Sequence, residues 1–383
     1  MNAPRKFVWF VAIAGIICLY HIYHSSRTSQ SKTVALDRLN NEGKLLEVHH
    51  RTSMANVASP ASFKPNTRLS VPASVDLPNE HAFKHEMMMY EAQMQLGKHC
   101  VVRNQVVSYH VNASQKGAQE VYANCTKPRV PNIVHFVWLW DKPEPYKFRQ
   151  LLGGLSVVRV LKPCAIVFWN AGFLPTGPWW EEFVGNITAA ATKFGTLFFT
   201  PNITTPQVIA DKKVSYEAHK SDIVRLYAIK YFGGIYLDFD VIALKSFAPL
   251  RCYDMTMGRE SSNGIPNNIM LAVPYAKFID LWLDKYNRDF RPRKWGYNSV
   301  KVPNQMLNTT TAGLVHVEED SINRPNWMEL KKIYEENFNW KTHYALHLWN
   351  HMTKKRASTE NPQTIKHCNS TFCEIARYIY YEV

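Results

Sequence analysis

Acidic charge is in short supply in this chain. It carries 31 Asp and Glu against 45 Lys and Arg, a formal net charge of +14 over 383 residues, of which only 20% are charged. Such a surplus can serve nucleic acid, yet no stretch interleaves basic and aromatic residues into a stripe, so nucleic acid is set aside as a partner. The charge fits anionic partners of other kinds, or simply a solvated basic surface. Long apolar runs are equally scarce. The exception, Phe7 to Tyr23 (FVWFVAIAGIICLYHIY), is uncharged and would span ~25 Å as a helix, near the lower limit for crossing a membrane. No small-x-small cleavage site follows, because Tyr20, His21, Tyr23 and His24 crowd that place. The run is therefore read as an uncleaved transmembrane signal-anchor rather than a cleaved signal peptide. Arg5 and Lys6 put the tail, residues 1–6, in the cytosol, with Arg27 and Lys32 weakening the asymmetry.

From His24 to about Glu80 the chain lacks a sustained apolar period and is rich in Ser, Thr, Asn, Lys and Pro, the composition of a flexible stem, which is taken to span 24–90. His81 to Leu96 places Phe83, Met87, Met88, Tyr90 and Met94 at roughly helical intervals and is expected to lead into a lumenal domain, 91–383. Cys18 falls in the apolar run, which leaves Cys100, Cys125, Cys164, Cys252, Cys368 and Cys373 beyond it. Sequence does not choose among their pairings, although Cys368 and Cys373 are near enough to close a small loop. N-x-S/T acceptors at Asn112, Asn124, Asn186, Asn202, Asn308 and Asn369 agree with an oxidising, glycosylating lumen.

The chemistry concentrates in Ser221 to Val241, SDIVRLYAIKYFGGIYLDFDV. Ile235, Leu237 and Phe239 alternate with Tyr236, Asp238 and Asp240, so a strand of period two would point both carboxylates to one face. Alternate Cα atoms would stand ~6.5 Å apart, and at an effective dielectric of about 20 two such charges repel by roughly 2 to 3 kcal/mol. A divalent cation held by oxygen ligands would turn that repulsion into attraction; two solvated acids at a strand end are the plain alternative. An EF-hand is excluded, since Val241, Ile242 and Ala243 stand where oxygen ligands and a glycine are needed. Upstream, the apolar positions from about Val214 to Phe232 fit a mostly buried helix stopped by Gly233 and Gly234. Asp222 and Arg225 are three residues apart on it and share a face.

Helix, glycine turn and acidic pair together resemble the DxD-containing sugar transferases of glycosyltransferase family 32, which include animal α-1,4-galactosyl- and α-1,4-N-acetylglucosaminyltransferases and fungal α-1,6-mannosyltransferases. A more distant likeness to the glucosylating domain of large clostridial toxins covers the same Asp, Arg and DxD, with a tryptophan whose counterpart lies in Pro131 to Trp138, PNIVHFVW. Strands at Ile133 to Trp138, Ala165 to Asn170 and Thr196 to Thr200, a helix near Tyr146 to Val160 and a loop bearing Trp179 and Trp180 read as an α/β domain. The resemblance sharpens this to a GT-A-type nucleotide-sugar-binding domain with a mostly parallel central sheet.

The resemblance also implies roles. Asp240 would be the first metal ligand, for Mn²⁺ or Mg²⁺, and Asp238 would bind ribose or reach the metal through water. Asp222 and Arg225 would grip the donor sugar, and Trp138 would stack on the base. Asn268, with Asn267 beside it in NGIPNNIM, matches an asparagine that faces the donor sugar. Trp295 to Leu307, WGYNSVKVPNQML, is loosely similar to the WG-x-x-GP-x-x-L acceptor-side segment of the α-1,4 enzymes, but its spacer is longer and Val302 replaces the glycine before Pro303. In Tyr344 to Asn350, YALHLWN, His347 would complete the metal's coordination and the Trp349 indole would donate to the diphosphate. Retention of configuration is implied, and no carboxylate announces itself as a covalent nucleophile, so front-face attack is expected. The resulting expectation is a type II Golgi membrane enzyme. It would use UDP-Gal or UDP-GlcNAc as donor and a glycolipid or glycan as acceptor. A GDP-mannose-dependent α-mannosyltransferase, or a catalytically silent carbohydrate-binding membrane protein, are the other readings.

Overall fold

The structure, a computed structural model, describes residues 128–307 and 311–382, together with Glu86. The expected tail, anchor and stem, the helix at His81 to Leu96 apart from Glu86, Cys18, Cys100, Cys125, and the acceptors Asn112, Asn124 and Asn308 lie outside the described residues. Glu86 accepts a hydrogen bond from the Thr204 N–H at 3.0 Å. Among the described residues no helix is long and apolar enough to cross a membrane.

In chain order come β1 (Ile133–Trp138), α1 (Phe148–Ser156), β2 (Ala165–Asn170), α2 (Pro178–Phe194), β3 (Leu197–Phe199), the small pair β4 (Val208–Ile209) and β5 (Lys212–Lys213), and α3 (Glu217–Phe232). Then follow β6 (Gly234–Leu237), β7 (Val241–Ala243), β8 (Met255–Gly258), β9 (Ile269–Ala272), α4 (Lys277–Asp289), β10 (His316–Glu318), β11 (Ala345–His347) and α5 (Thr371–Tyr381), besides shorter helical turns. Seven strands form the central sheet in the order β10-β8-β9-β6-β1-β2-β3. Neighbours from β3 to β6 are parallel, as are β8 and β10, whereas β9 runs against both of its neighbours. The expectation of an α/β domain with a mostly parallel sheet therefore holds.

The apolar run of β1 is explained by burial on both faces. Val134, Phe136 and Trp138 enter one core with Leu151 and Leu152 of α1 and Phe183 of α2. Ile133 and Val137 enter the other with Ile223 and Leu226 of α3 and Trp282 of α4. The expected loop at Trp179 and Trp180 is corrected, since both lie in the first turn of α2, with Pro178 at its start. A proline lacks the N–H that a helix leaves unpaired there, so a residue that reads as a breaker begins the helix.

The Cys368–Cys373 disulfide is present, and Cys164 and Cys252 are also disulfide-bonded. Asn369 lies exposed inside the small Cys368–Cys373 loop, and Asn202 is exposed as well. Asn186 instead sits within α2, where its amide donates to the Glu182 carbonyl at 2.9 Å and accepts from Arg159 at 3.2 Å.

Candidate active site

α3 stops at Phe232, and Gly233 and Gly234 turn the chain into β6 with φ of +61° and +98°. At Gly234 a Cβ would lie 2.5 Å from the Ile133 carbonyl oxygen, so only glycine lets β6 enter the sheet beside β1. The expectation that Asp238 and Asp240 share a strand is corrected here. β6 ends at Leu237, and residues 238–240 form a turn closed by the Val241 N–H donating to the Asp238 carbonyl at 3.1 Å. The chain then leaves the central sheet and β7 pairs antiparallel with β11, setting Val241 opposite His347. That register, rather than strand alternation, assembles the acidic group.

Asp238, Asp240 and His347 each offer a ligand atom, and these atoms lie within 4.8 Å of one another. His347 Nε2 is 3.2 Å from Asp240 Oδ1, and the Asn350 N–H donates to Asp240 Oδ2 at 2.8 Å. Burial works to raise the Asp240 pKa, but His347 and the Asn350 N–H outweigh it and hold the value to about 2. Burial likewise opposes protonation of His347, yet Asp240 and Asp238 more than offset it and leave its pKa above the ordinary value. Asp238 is pushed up by burial against the pull of Arg225. Two carboxylates and an imidazole this close form a donor set that suits Mn²⁺ or Mg²⁺ through oxygen, with nitrogen favouring the transition metal. Beside them the buried Asn268 Oδ1 has no hydrogen-bond partner among the described residues, while Asn268 Nδ2 lies 2.9 Å from both His347 Nδ1 and Asn323 Oδ1.

A second group is built on α3. Asp222 and Arg225 do share a face, with 3.9 Å between Oδ1 and Nε. Arg225 Nη1 reaches Asp238 Oδ1 at 2.9 Å, its Nη2 donates to Ser221 Oγ at 2.8 Å, and its guanidinium lies 4.4 Å from the centre of the Tyr236 ring. Asn267 binds both partners: its amide donates to Asp222 Oδ1 at 3.0 Å, and its Oδ1 accepts from Arg225 at 3.2 Å. The Tyr236 hydroxyl donates to Asp238 Oδ1 at 2.6 Å. Arg225 therefore stays charged although buried, because Asp238 and Asp222 favour its protonated form. The fixed result is a strongly polar floor joining α3, the turn after β6 and the start of β9.

Residues 178–262 match the family described as glycosyltransferase sugar-binding region containing DXD motif. Over 269 residues the chain is 32% identical to glucan organizing enzyme 1 of Cryptococcus neoformans var. grubii, spanning 65% of this chain and 70% of that protein. The chain belongs to the DXD-containing glycosyltransferases. It is also 24% identical over 194 residues to human alpha-1,4-N-acetylglucosaminyltransferase, which covers 45% of this chain and 56% of that enzyme. Solved structures similar to it include the PaToxG glycosyltransferase, at 18% identity with a TM-score of 0.31 over 50% of this chain and 73% of that one. The galactosyltransferase LgtC, in complex with donor and acceptor sugar analogs, is similar at 12% identity and a TM-score of 0.28 over 61% and 99%.

In this glycosyltransferase the fold brings Asp222, Arg225, Asp238, Asp240, Asn268 and His347 into one linked cluster. Trp138 stands apart. It is 2% exposed at the end of β1, edge-on to Phe239 at 5.4 Å and in contact with Tyr146 and Phe168, so in this structure it serves as a core side chain. Its indole N–H has no partner among the described residues. Trp349 takes a left-handed φ of +54° and its indole N–H donates to the Pro325 carbonyl at 3.2 Å, which occupies the donor expected to face a diphosphate. Sequence reasoning missed Arg149, whose signal is a lone charge in the apolar helix FRQLLGGLS. It also missed Glu260, a carboxylate just beyond β8 whose pKa burial raises against the influence of His347.

Proposed function

We propose that this glycosyltransferase is metal-dependent and retaining. In this reading it moves galactose or N-acetylglucosamine from UDP-Gal or UDP-GlcNAc, in α-1,4 linkage, to the glycan of a glycolipid or glycoprotein. It would work in the Golgi lumen as a GT-A enzyme, held by the anchor at 7–23. The observation that carries this reading is the convergence of Asp238, Asp240 and His347 at the end of the central strand β6, one ion pair away from Asp222 and Arg225.

Mn²⁺ or Mg²⁺ held there would neutralise the charge that develops on the leaving diphosphate. The chain's own groups do the rest. Asp240 is kept ionised by His347 and the Asn350 N–H, and Asp238 is oriented by Arg225 and Tyr236. Asp222, held by Asn267, would accept from the donor sugar's hydroxyls, and Asn268, beside His347, would face the sugar as well. The acceptor hydroxyl would attack from the face the diphosphate leaves, giving its proton to the departing phosphate oxygen. A glycosyl adduct trapped on Glu260 or any other carboxylate would overturn that route. Mannosyl transfer from GDP-mannose is the second reading, favoured by 40% identity over 55 residues, 14% of this chain, to inositol phosphoceramide mannosyltransferase 3 of Schizosaccharomyces pombe. The Cryptococcus relative's name adds glucans to the acceptors worth trying.

The test is hydrolysis and transfer by the full-length protein across UDP-Gal, UDP-GlcNAc and GDP-mannose, with Mn²⁺ and with chelator. Turnover with one UDP-sugar should vanish on chelation, and Asp240→Asn should lower kcat/KM by about a hundredfold or more, the loss of a few kcal/mol of charge stabilisation. Turnover that survives both changes refutes the metal mechanism, and a preference for GDP-mannose selects the second reading.

A further inference from the structure

Sugar transfer accounts for none of the N-x-S/T acceptors, and one of them opens onto a cavity. A polar hollow of about 350 Å³ is lined by Asn337, Asn369, Ser370, Glu374 and Arg377. Asn369, Ser370 and Thr371 are the acceptor sequence itself, so its asparagine stands on the wall of the hollow. Glu374 and Arg377 lie one turn apart on α5 and are half-buried. Among the described residues the Glu374 carboxylate pairs with nothing. Arg377 uses only Nη1, which donates to the Ile365 and Cys368 carbonyls, so its other N–H groups remain for a ligand.

The walls are held by bonds that lie outside the hollow. The Cys368–Cys373 disulfide closes the loop that carries Asn369, and Ser370 caps α5 by accepting the Cys373 N–H at 3.4 Å. Thr371 is 0% exposed. Its hydroxyl donates to the Glu336 carbonyl at 3.0 Å and accepts the Phe338 N–H at 3.1 Å, which fastens the residues on both sides of Asn337 to the start of α5. A Thr371 hydroxyl tied in this way is out of reach of a glycosylating enzyme, so a glycan must enter before this region folds, and the fold must then accommodate it. Asn186 gives the contrast, since both ends of its amide are engaged within the fold.

We propose that the hollow is the seat of the first N-acetylglucosamine of a glycan carried on Asn369; this rests on the lumenal address proposed above. The transfer joins Asn369 Nδ2 to C1 of that sugar. The bond from C1 to the diphosphate of a lipid-linked oligosaccharide breaks, the diphosphate departs with the electron pair, and the amide loses one of its two protons. The size of the cavity, at the small end of the ~300 to 1,000 Å³ range of ligand pockets, suits one ring rather than a chain. The chemistry of the walls suits that ring too. Its hydroxyls donate to Glu374, and its N-acetyl carbonyl accepts from Arg377 or Asn337. Each contact is weak alone, but the covalent link keeps the sugar beside them at a high effective concentration.

The experiment uses the full-length protein made in cells with a glycosylating secretory pathway. Glycopeptide mass spectrometry should find Asn369 occupied. A peptide N-glycosidase should then release that glycan from native wild type about fivefold or more slowly than from a native variant carrying Asn337→Ala and Glu374→Ala, because the bond is cut only while the seat is open. The two proteins should release it at the same rate once denatured. Equal native rates overturn the seat. A second measurement needs no substitution: in wild type trimmed to one N-acetylglucosamine, the N-acetyl methyl protons should show NMR contacts with the Glu374 or Arg377 side chains, and their absence overturns the seat as well. Asn369 found bare while another acceptor such as Asn202 is occupied overturns the proposal and leaves the lumenal address standing, whereas no acceptor occupied overturns both.

Discussion

His135 is fully buried in the middle of β1, where the Trp169 indole N–H donates to its Nδ1 at 3.2 Å and its Nε2 stands 2.8 Å from the Gly233 carbonyl. An indole N–H can only donate, so Nδ1 accepts and the ring proton sits on Nε2, donated to Gly233. Burial drives the His135 pKa down to about 4, with the Gly233 bond pulling the other way. The folded value is thus below that of an unfolded histidine near 6.5. On acidification the unfolded chain takes the proton first, so this contribution to stability is whole above about pH 6.5, falls between about 6.5 and 4, and then levels. The total is about 3 kcal/mol. Urea midpoints measured at pH 7.5 and pH 5 should differ accordingly, and His135→Gln should shrink the difference; an equal difference in the variant would assign the acid sensitivity elsewhere. A histidine within an apolar strand is legible in the sequence, but its silence in the chemistry is not, because two hydrogen bonds from distant residues decide it.

At the scale of elements, the turn after β6 depends on a glycine in α1. A Cβ at Gly153 would lie 2.6 Å from the Phe239 carbonyl oxygen and 2.9 Å from that of Val241, both backbone atoms that cannot swing aside. Alanine is the better helix former by about 0.5 to 1 kcal/mol, yet Gly153→Ala should destabilise the protein by about 1 to 3 kcal/mol, because the overlap outweighs propensity. Since the displaced backbone carries Asp238 and Asp240, Mn²⁺ should bind more weakly too, by isothermal calorimetry, than in a control such as Gly185→Ala, where a Cβ meets nothing. A stabilised variant with unchanged Mn²⁺ binding would contradict this contact. Legibility of the elements followed local pattern. β1 and β2 have the expected bounds, and α3 ends at the expected glycines. The acidic pair was misplaced because Phe239 continues the apolar alternation of Ile235 and Leu237; in the fold it serves the turn, stacked on Phe136 at 5.1 Å.

Across the whole molecule, Arg149 ties α1, the first helix that follows β1 among the described residues, to the last fifty residues of the chain. It is 1% exposed and paired through both Nε and Nη2 with Glu360, and its Nη1 donates to Asn350 Oδ1 at 2.8 Å and Thr353 Oγ1 at 2.7 Å. Its guanidinium lies against the rings of both Tyr334 and Phe372, 4.9 and 5.2 Å from their centres. The Asn350 that it holds is the residue whose N–H reaches Asp240. Arg149→Met leaves Glu360 nearly buried and unpaired, so it should cost about 3 to 5 kcal/mol in urea unfolding, and Arg149→Lys should recover little because one ammonium cannot replace a planar fork. Adding Glu360→Gln to Arg149→Met should restore part of the loss; no recovery would mean that the pair itself is not the source. The sequence by itself determined the relations that short-range geometry encodes: buried strands, the Asp222–Arg225 face, the small Cys368–Cys373 loop and a pair of acids beyond a glycine turn. Resemblance alone had pointed to His347; only the tertiary structure decided how the chain carries it to Asp240, 107 residues away, that the Trp349 indole donates to the Pro325 carbonyl, and that Arg149 holds Asn350 beside them. The physical reason is that periodicity fixes neighbours two to four residues apart, whereas the register of β7 against β11 and the burial of one charged fork fix neighbours that the chain separates.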